Sequence, residues 1–480
     1  MRTAKKILKN LKSADQLIAS LLALSKKERV CLLDSCGAKH LGSHLLLAGM
    51  KPIETFEVSN EKPSETLRFL DDKLSSGNLF SIFTISYEFG LKLEKINSRE
   101  KKHSGFTEPD IFLAIFDSLI IHDYKTRETF LVGNEKRFDE IESKIESSRN
   151  SEQFDEKLQP DESIPVNSNF SKTEYLAAIE KIKEYIRRGD TYQTNLTQQI
   201  RARLPENLTA QKIFWRLRKN NPAPFAAFLQ RNDSTVISAS PERFFKIQGS
   251  RFKIQDSKPK IQNPKSKIQN PNISASPIKG TRPRGQTVGE DLILRNELLQ
   301  SEKDRAENVM IVDLLRNDLG RICEYGSVEV KKLCDLETHP TLFHLVSTIN
   351  GKLRANIKFS DIIRAVYPCG SITGAPKIRT MQIINELETT PRGLSMGAIG
   401  YSIQDSKFKI QDLKTKTYHL PLTTYHYFDL SVAIRTMVVH KNTAVFNVGG
   451  GITIDSVPET EYEETLIKAG ALLNSIGGKL

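Results

Sequence analysis

No run of about 18 consecutive apolar residues occurs in this 480-residue sequence, so no membrane-spanning helix is expected. The opening residues, MRTAKKILKNLKSADQ, lack the apolar core and the small-residue cleavage site of a secretory leader. A surface helix is expected there instead. Cysteine is scarce and unpaired. Cys31, Cys36, Cys323, Cys334 and Cys369 form no CxxC motif. An odd, scattered set of this kind excludes a disulfide framework or a zinc site and fits reduced thiols in the cytoplasm. A net charge of +12 invites a nucleic-acid reading. Much of the excess, however, sits between Lys246 and Lys267, where Phe252 is the one aromatic available for stacking on bases. Nucleic acid is therefore not the expected partner. A basic RNA-binding protein acting through this tract is the alternative of another class.

The tract has a period of its own. KIQ begins at 246, 253, 260 and 267 and returns at 409. Heptads can mark a coiled coil, but Pro259, Pro264 and Pro271 remove helix hydrogen bonds and each repeat offers little apolar surface. Two low-complexity insertions are expected, at about 246–275 and 403–422. The rest divides into residues 1–150, which mix short strands with little helix, and a larger region at 170–472. A polar stretch at 146–169 reads as a linker between them. Ser171 and Glu174 form a capping box ahead of Tyr175, Ile179, Ile182 and Ile186, and Gly189 ends that helix. Further helices are expected at about 292–316, 376–388 and 459–475. Strands are expected at 234–239, 327–331, 430–439 and 443–448. Strands grouped among helices without a strict βαβ rhythm predict an α+β fold with antiparallel sheets.

Several constellations can carry chemistry. Asp304 and Glu307 share a helix face, as do Glu461, Glu464 and Lys468. Two such carboxylate pairs brought together make a hard-oxygen site for Mg²⁺, whereas each alone is an ordinary exposed acidic pair. Gly449, Gly450 and Gly451 precede the second pair and let backbone N–H groups approach an anion. Ser371 and Thr373, in GSITGAPK, stand before a proline that opens a helix, where free N–H groups can meet a carboxylate. Glu242 follows a strand, and His344 lies among apolar residues as a core histidine would. Arg435 is a charge within an apolar strand, and its burial calls for an anion from the protein or from a ligand.

In chain order, SPERF, PIKGTRPRG, KDRAENVMIVDLLRND, HLVSTI, GSITGAPK, AIGY, AIRT, GGGI and EYEET resemble the chorismate-utilising enzymes over about 170–472. Residues 1–150 resemble that family's N-terminal region more faintly and would interdigitate with the catalytic part. The resemblance implies a large antiparallel β-sandwich flanked by helices. It implies that Asp304, Glu307, Glu461 and Glu464 surround Mg²⁺. Arg435, Lys468, Gly449–Gly451, Ser371 and Thr373 would hold the substrate carboxylates. Glu242 would protonate the departing C4 hydroxyl, and His344 matches the family's site histidine.

Lys279, in PIKGT, matches the lysine of members that aminate chorismate at C4. In ortho-aminating members the position is alanine. An amine near Mg²⁺ and Arg435 is favoured as the neutral nucleophile. It would add at C2, then be expelled as ammonia adds at C4. Ortho amination is the runner-up.

Thr194 stands where the water-using branch carries a lysine, so water activation is not expected. Ser395 replaces a large aromatic and would leave a gap in the site. LLDS at 32–35 resembles a tryptophan-binding stretch, from which no regulation is read. No cysteine lies in a nucleophile elbow with a His/Glu pair, so ammonia would come from a separate glutamine amidotransferase subunit.

Overall fold

The computed structural model describes residues 4–11, 13–38, 43–75, 80–97, 106–149, 163–248, 271–339, 342–355, 357–404 and 426–479. Among these, two large sheets lie face to face. In the first, thirteen strands run from Ala4–Ile7 at one edge through Val30–Asp34, Phe225–Gln230, Ser234–Ser240 and Thr443–Ile452 to Gln193–Arg203 and beyond. The second has ten, from Ile278–Pro283 through Leu342–Lys352, Arg243–Gln248, His426–Val432 and Ala398–Gln404 to Glu54–Val58. Among the named strands every pairing is antiparallel except Gly478–Lys479 on Ile164–Ser168. Strands from the first 133 residues enter both sheets.

Alternation explains the layers. Strand residues of one parity face the opposite sheet, and those of the other face helices. Phe112, Phe116, Leu229, Val236, Ile399 and Val438 pack between the sheets. The outer face of the first sheet packs on the helices Ala14–Leu24, Ala210–Asn220 and Pro458–Ile476. The outer face of the second packs on Pro63–Ser75, Glu302–Gly320 and Phe359–Val366. Each large side chain buried in these layers contributes about 2–3 kcal/mol. The molecule is an α+β sandwich covered by helices on both sides.

Local differences from the sequence reading have local causes. The N-terminus is a strand, Ala4–Ile7, paired with Glu128–Gly133, because an edge strand was open to it. Residues 1–150 hold more helix than expected. Ala14–Leu24 is apolar nearly all round, and Pro63–Ser75, Tyr87–Leu93 and Phe138–Ser147 accompany it. The helix expected at 292–316 is two, Val288–Gln300 and Glu302–Gly320. Ser301 adopts extended geometry between them and caps the second by accepting from Asp304 N.

The strand expected at 430–439 is also two, His426–Val432 and Thr436–His440, and each belongs to a different sheet. The flanks of both insertions are paired strands. Arg243–Gln248 pairs with Asn272–Ser276, and Ala398–Gln404 with His426–Val432. The KIQ repeats at 253, 260, 267 and 409 lie outside the described residues.

One buried ion pair locks the sheets' connections. Glu388 and Arg392 are each about 1% exposed at the side chain and 2.7 Å apart. Glu388 Oε1 accepts from Thr197 N and Oγ1, at 2.8 and 2.9 Å. Arg392 donates to the carbonyls of Ile372 and Asn195, at 2.9 and 2.6 Å. Glu388→Gln is expected to leave a buried guanidinium undercompensated and to cost about 3–5 kcal/mol. A lowered thermal midpoint would show it, whereas Lys6→Ala, which removes two surface ion pairs, is expected to leave the midpoint nearly unchanged.

Candidate active site

Lys279 owes its position to a break in strand register. Ile278 pairs with Val346, but Thr281 pairs with His344. Three steps along one strand therefore match two along the other. This is a β-bulge, which re-aims side chains. Gly280 makes it possible, with φ +83° and only 2.9 Å between a Cβ placed there and Asp304 Cβ. Glycine alone tolerates both. Lys279 turns inward as a result. Its side chain is 13% exposed, and Nζ lies 3.9 Å from Glu307 Oε2. A Cβ built on Gly451 would meet the same Nζ at 3.4 Å.

The carboxylates converge from two helices. Glu307 projects from Glu302–Gly320 and accepts from Gln193 Nε2 at 3.0 Å. Burial raises its carboxyl above the ordinary range, Lys279 and Lys303 pull it back, and the charges of Asp304 and Glu461 add to the rise. Glu461 and Glu464 come from Pro458–Ile476. Glu461 Oε1 accepts from Ser456 Oγ at 2.6 Å and Lys303 Nζ at 3.3 Å. Burial works against the charge of Glu464, but Lys468, 2.6 Å away, holds its carboxyl below the ordinary value. Lys468 also donates to the Gly449 carbonyl at 3.1 Å.

A Cβ on Gly450 would lie 3.4 Å from Glu461 Oε2 and 3.9 Å from Glu464 Oε1, so both acids face bare backbone. Asp304 is drawn toward Arg282 Nη2, at 3.3 Å. Among the described residues no three or more His, Cys, Asp or Glu close into a metal cage. The protein therefore offers part of a hard-oxygen coordination sphere. That donor set suits a cation such as Mg²⁺, which keeps waters and shares ligand oxygens.

Glu242, near enough to Lys279 to feel its charge, is 4% exposed. Burial pushes its carboxyl up to about 7, against the pull of the Ser371 hydroxyl, Lys279 and the backbone at Ile278. Its Oε1 has no partner among the described residues. Ser371 lies in the short turn Gly370–Ile372. Thr373 is fully buried and spends its hydroxyl on the carbonyls of Cys369 and Gly370. His344 Nδ1 is 2.9 Å from Thr281 Oγ1, two residues past Lys279.

Arg435 occupies the crossing between two strands, at φ +48°. Burial alone lowers its guanidinium from the ordinary value, and among the described residues no anion pairs with it. A half-buried guanidinium with no counter-ion among the described residues is a waiting site for a ligand carboxylate.

Two participants escaped the sequence reading. Gln193, not Thr194, presents its side chain to the carboxylates. Thr194 is fully buried on the opposite face, beside Leu196 in parity. Strand alternation was the signal that could have separated them. Lys303, on Glu461, had no sequence signal beyond proximity to Asp304. Ser395 is buried. Its hydroxyl donates to the Thr436 carbonyl at 3.3 Å and accepts from Asn447 N at 3.1 Å.

Comparison with known proteins identifies the family. The chorismate binding enzyme family model matches residues 28–255, 266–410 and 422–474. Aminodeoxychorismate synthase component 1 of Bacillus subtilis is 33% identical over 400 residues, 82% of this chain and 76% of that protein. The probable chloroplastic aminodeoxychorismate synthase of Oryza sativa subsp. japonica is 40% identical over 303 residues, 63% of this chain. The match spans 29% of that rice protein's length. Anthranilate synthase component 1 of Bacillus pumilus is 35% identical over 377 residues, 75% of this chain and 65% of that protein. In fold, the chain is similar to anthranilate synthase component I of Streptococcus pneumoniae, with a TM-score of 0.70 and 24% identity over 90% of this chain and 93% of that one. The chain belongs to the chorismate binding enzyme family.

Proposed function

We propose that this protein aminates chorismate at C4, giving 4-amino-4-deoxychorismate, with ammonia supplied by a glutamine amidotransferase subunit. The observation that carries the reading is the inward-turned Lys279 amine, set between the acid Glu242 and the Glu307–Glu461–Glu464 carboxylates. Relatives named aminodeoxychorismate synthase support it. The five free thiols fit a cytoplasmic location.

Each residue then has a task. Arg435 takes a substrate carboxylate. Glu307, Glu461 and Glu464 would hold Mg²⁺, and Asp304 would add to the charge around it. When bound, the cation would neutralise the ring carboxylate and withdraw electrons from the ring. Gly450 leaves bare backbone facing Glu461 and Glu464, Gly451 lies against Gln193 and Lys279, and Gly449 lies against the Leu196 backbone. Lys468 holds Glu464 in place, and Ser371 steadies Glu242. Thr373 and His344 shape the walls.

Lys279 Nζ adds to C2 of the diene, both double bonds shift, and the C4–O bond breaks. Glu242, protonated, gives its proton to the departing hydroxyl, which leaves as water. Ammonia then adds at C4, the double bonds shift back, and the C2–N bond to Lys279 breaks. The amine ends para to the ring carboxylate, and the enolpyruvyl ether is untouched.

Turnover of chorismate with ammonium and Mg²⁺ tests this, with the amine position read by chromatography. Anthranilate as the product would overturn it in favour of ortho amination. Lys279→Ala is expected to lower the para product by about two orders of magnitude, with residual amination shifted to C2.

A second expectation concerns pH. Glu242 must be protonated to act, so the rate should fall as pH rises through about 7. In Glu242→Gln that limb should vanish and kcat drop ~10²-fold or more. A pH profile unchanged by the substitution would remove Glu242 from the role of acid.

A further inference from the structure

The four carboxylates around the candidate cation site each have a cationic partner already. Asp304 lies 3.3 Å from Arg282, Glu307 3.9 Å from Lys279, Glu461 3.3 Å from Lys303 and Glu464 2.6 Å from Lys468. Four negative charges thus meet four positive ones, and the formal charges cancel. Such a balance opposes a divalent cation, because the pull of the carboxylates is met by the push of every ammonium left among them. A cation can enter only where one of the resident charges gives way.

Three of the four are held in place. Arg282 also donates to Glu297 at 2.8 Å and to the Thr281 carbonyl at 2.9 Å. Lys279 is turned inward at its bulge. Lys468 donates to the Gly449 carbonyl as well as to Glu464. Lys303 differs. Its side chain is 51% exposed and stands in the first turn of the helix Glu302–Gly320. Its hydrogen bond to Glu461 is the one it makes among the described residues. It nevertheless reaches across the cluster, since its charge acts on Glu461, Glu307 and Glu464. Glu461, 5% exposed at the side chain, has no other ion pair among the described residues. An ammonium on a flexible four-carbon stem can exchange a carboxylate for water, which a guanidinium forked between two acceptors cannot do as readily.

We propose that Lys303 is a resident counter-ion of the Mg²⁺ site, which neutralises Glu461 while the site is without metal and must swing toward solvent for the carboxylates to take the metal. Resting on the Mg²⁺ assignment above, this role adds to it what limits the affinity. Without Lys303, Glu461 is a buried carboxylate lacking a counter-charge, which is strongly unfavourable. With Lys303, the metal-free site is stable but a poor set of ligands. A divalent cation entering the balanced cluster leaves an excess of positive charge, which chorismate, carrying two carboxylates, offsets. Lys303 thereby ties retention of the metal to the presence of a dianionic ligand.

The test titrates Mg²⁺ into the full chain without substrate, by calorimetry, and compares the unaltered protein with Lys303→Met and Lys303→Arg. Lys303→Met is expected to bind Mg²⁺ about tenfold more tightly, since a repelling charge beside the site is gone. Its thermal midpoint is expected to be lower without metal and to rise more steeply with added Mg²⁺. Lys303→Arg keeps the charge and is expected to bind as the unaltered protein does. The direction is diagnostic, because structural damage weakens a metal site and does not strengthen it. Unchanged or weaker binding by Lys303→Met overturns the proposal, and so does equal tightening in Lys303→Arg. Should Lys303→Met not fold, Lys303→Gln, which can still hydrogen-bond Glu461 but carries no charge, is judged by the same outcomes. Adding Glu464→Gln to Lys303→Met is expected to abolish the tightening. If that double variant keeps its Mg²⁺ binding, or if no variant binds Mg²⁺ with or without chorismate, the Mg²⁺ assignment itself fails. That result is distinct from a carboxylate site that binds metal without regard to Lys303.

Discussion

Arg392 and Glu388 meet where every part of the site's support must pass. The carboxylate holds the strand Gln193–Arg203 through Thr197, and the guanidinium holds the turn at Ile372 and the carbonyl of Asn195. From the N-terminal part of the chain, Glu88 accepts from the backbone N–H groups of Arg392 and Gly393. The Tyr87 ring lies 4.4 Å from the guanidinium. Desolvation alone would make the guanidinium easier to deprotonate, yet Glu388 and its neighbours raise its affinity for the proton. A pair so deeply buried adds little net stability over an apolar replacement, but it accepts few alternative arrangements. Its value is that it sets the relative position of the strand bearing Gln193 and the turn bearing Ser371.

With that relation set, the chemistry divides by side. One part is acidic and faces bare glycine backbone; another carries a carboxyl that desolvation keeps partly protonated near neutral pH. Lys279 stands between them because of a one-residue bulge. The same amine on a regular strand would alternate to the opposite face, away from the acids. The reactive geometry is thus a register irregularity supported by a glycine, inside a sandwich whose bulk packing would survive without it.

Much of the candidate site was legible because it is carried by short segments whose residue types have few other uses together. Glu461, Glu464 and Lys468 read correctly as one helix face, since i, i+3 and i+7 spacing depends on helical pitch alone. Asp304 and Glu307 share a helix too, but Arg282 draws Asp304 aside, a contact 22 residues distant in sequence. Gln193 was passed over for Thr194. On a strand those neighbours point to opposite faces, and only the pairing of Leu196 with the apolar side decides which is which. Arg435 was read as part of a continuous strand. It instead marks the point where the chain leaves one sheet for the other, because the two sheets compete for the residues on either side of it.

By itself the sequence determined the fold class, the acidic helix faces, the glycine run and the lysine of PIKGT, all set by local spacing and by residues with unusual steric or chemical needs. The tertiary structure decided which faces meet. It turned Lys279 inward at a bulge, left Arg435 with no counter-ion among the described residues and buried Glu242. Those outcomes depend on contacts between residues far apart in the chain, and on desolvation, which is a property of the packed interior and of no single segment.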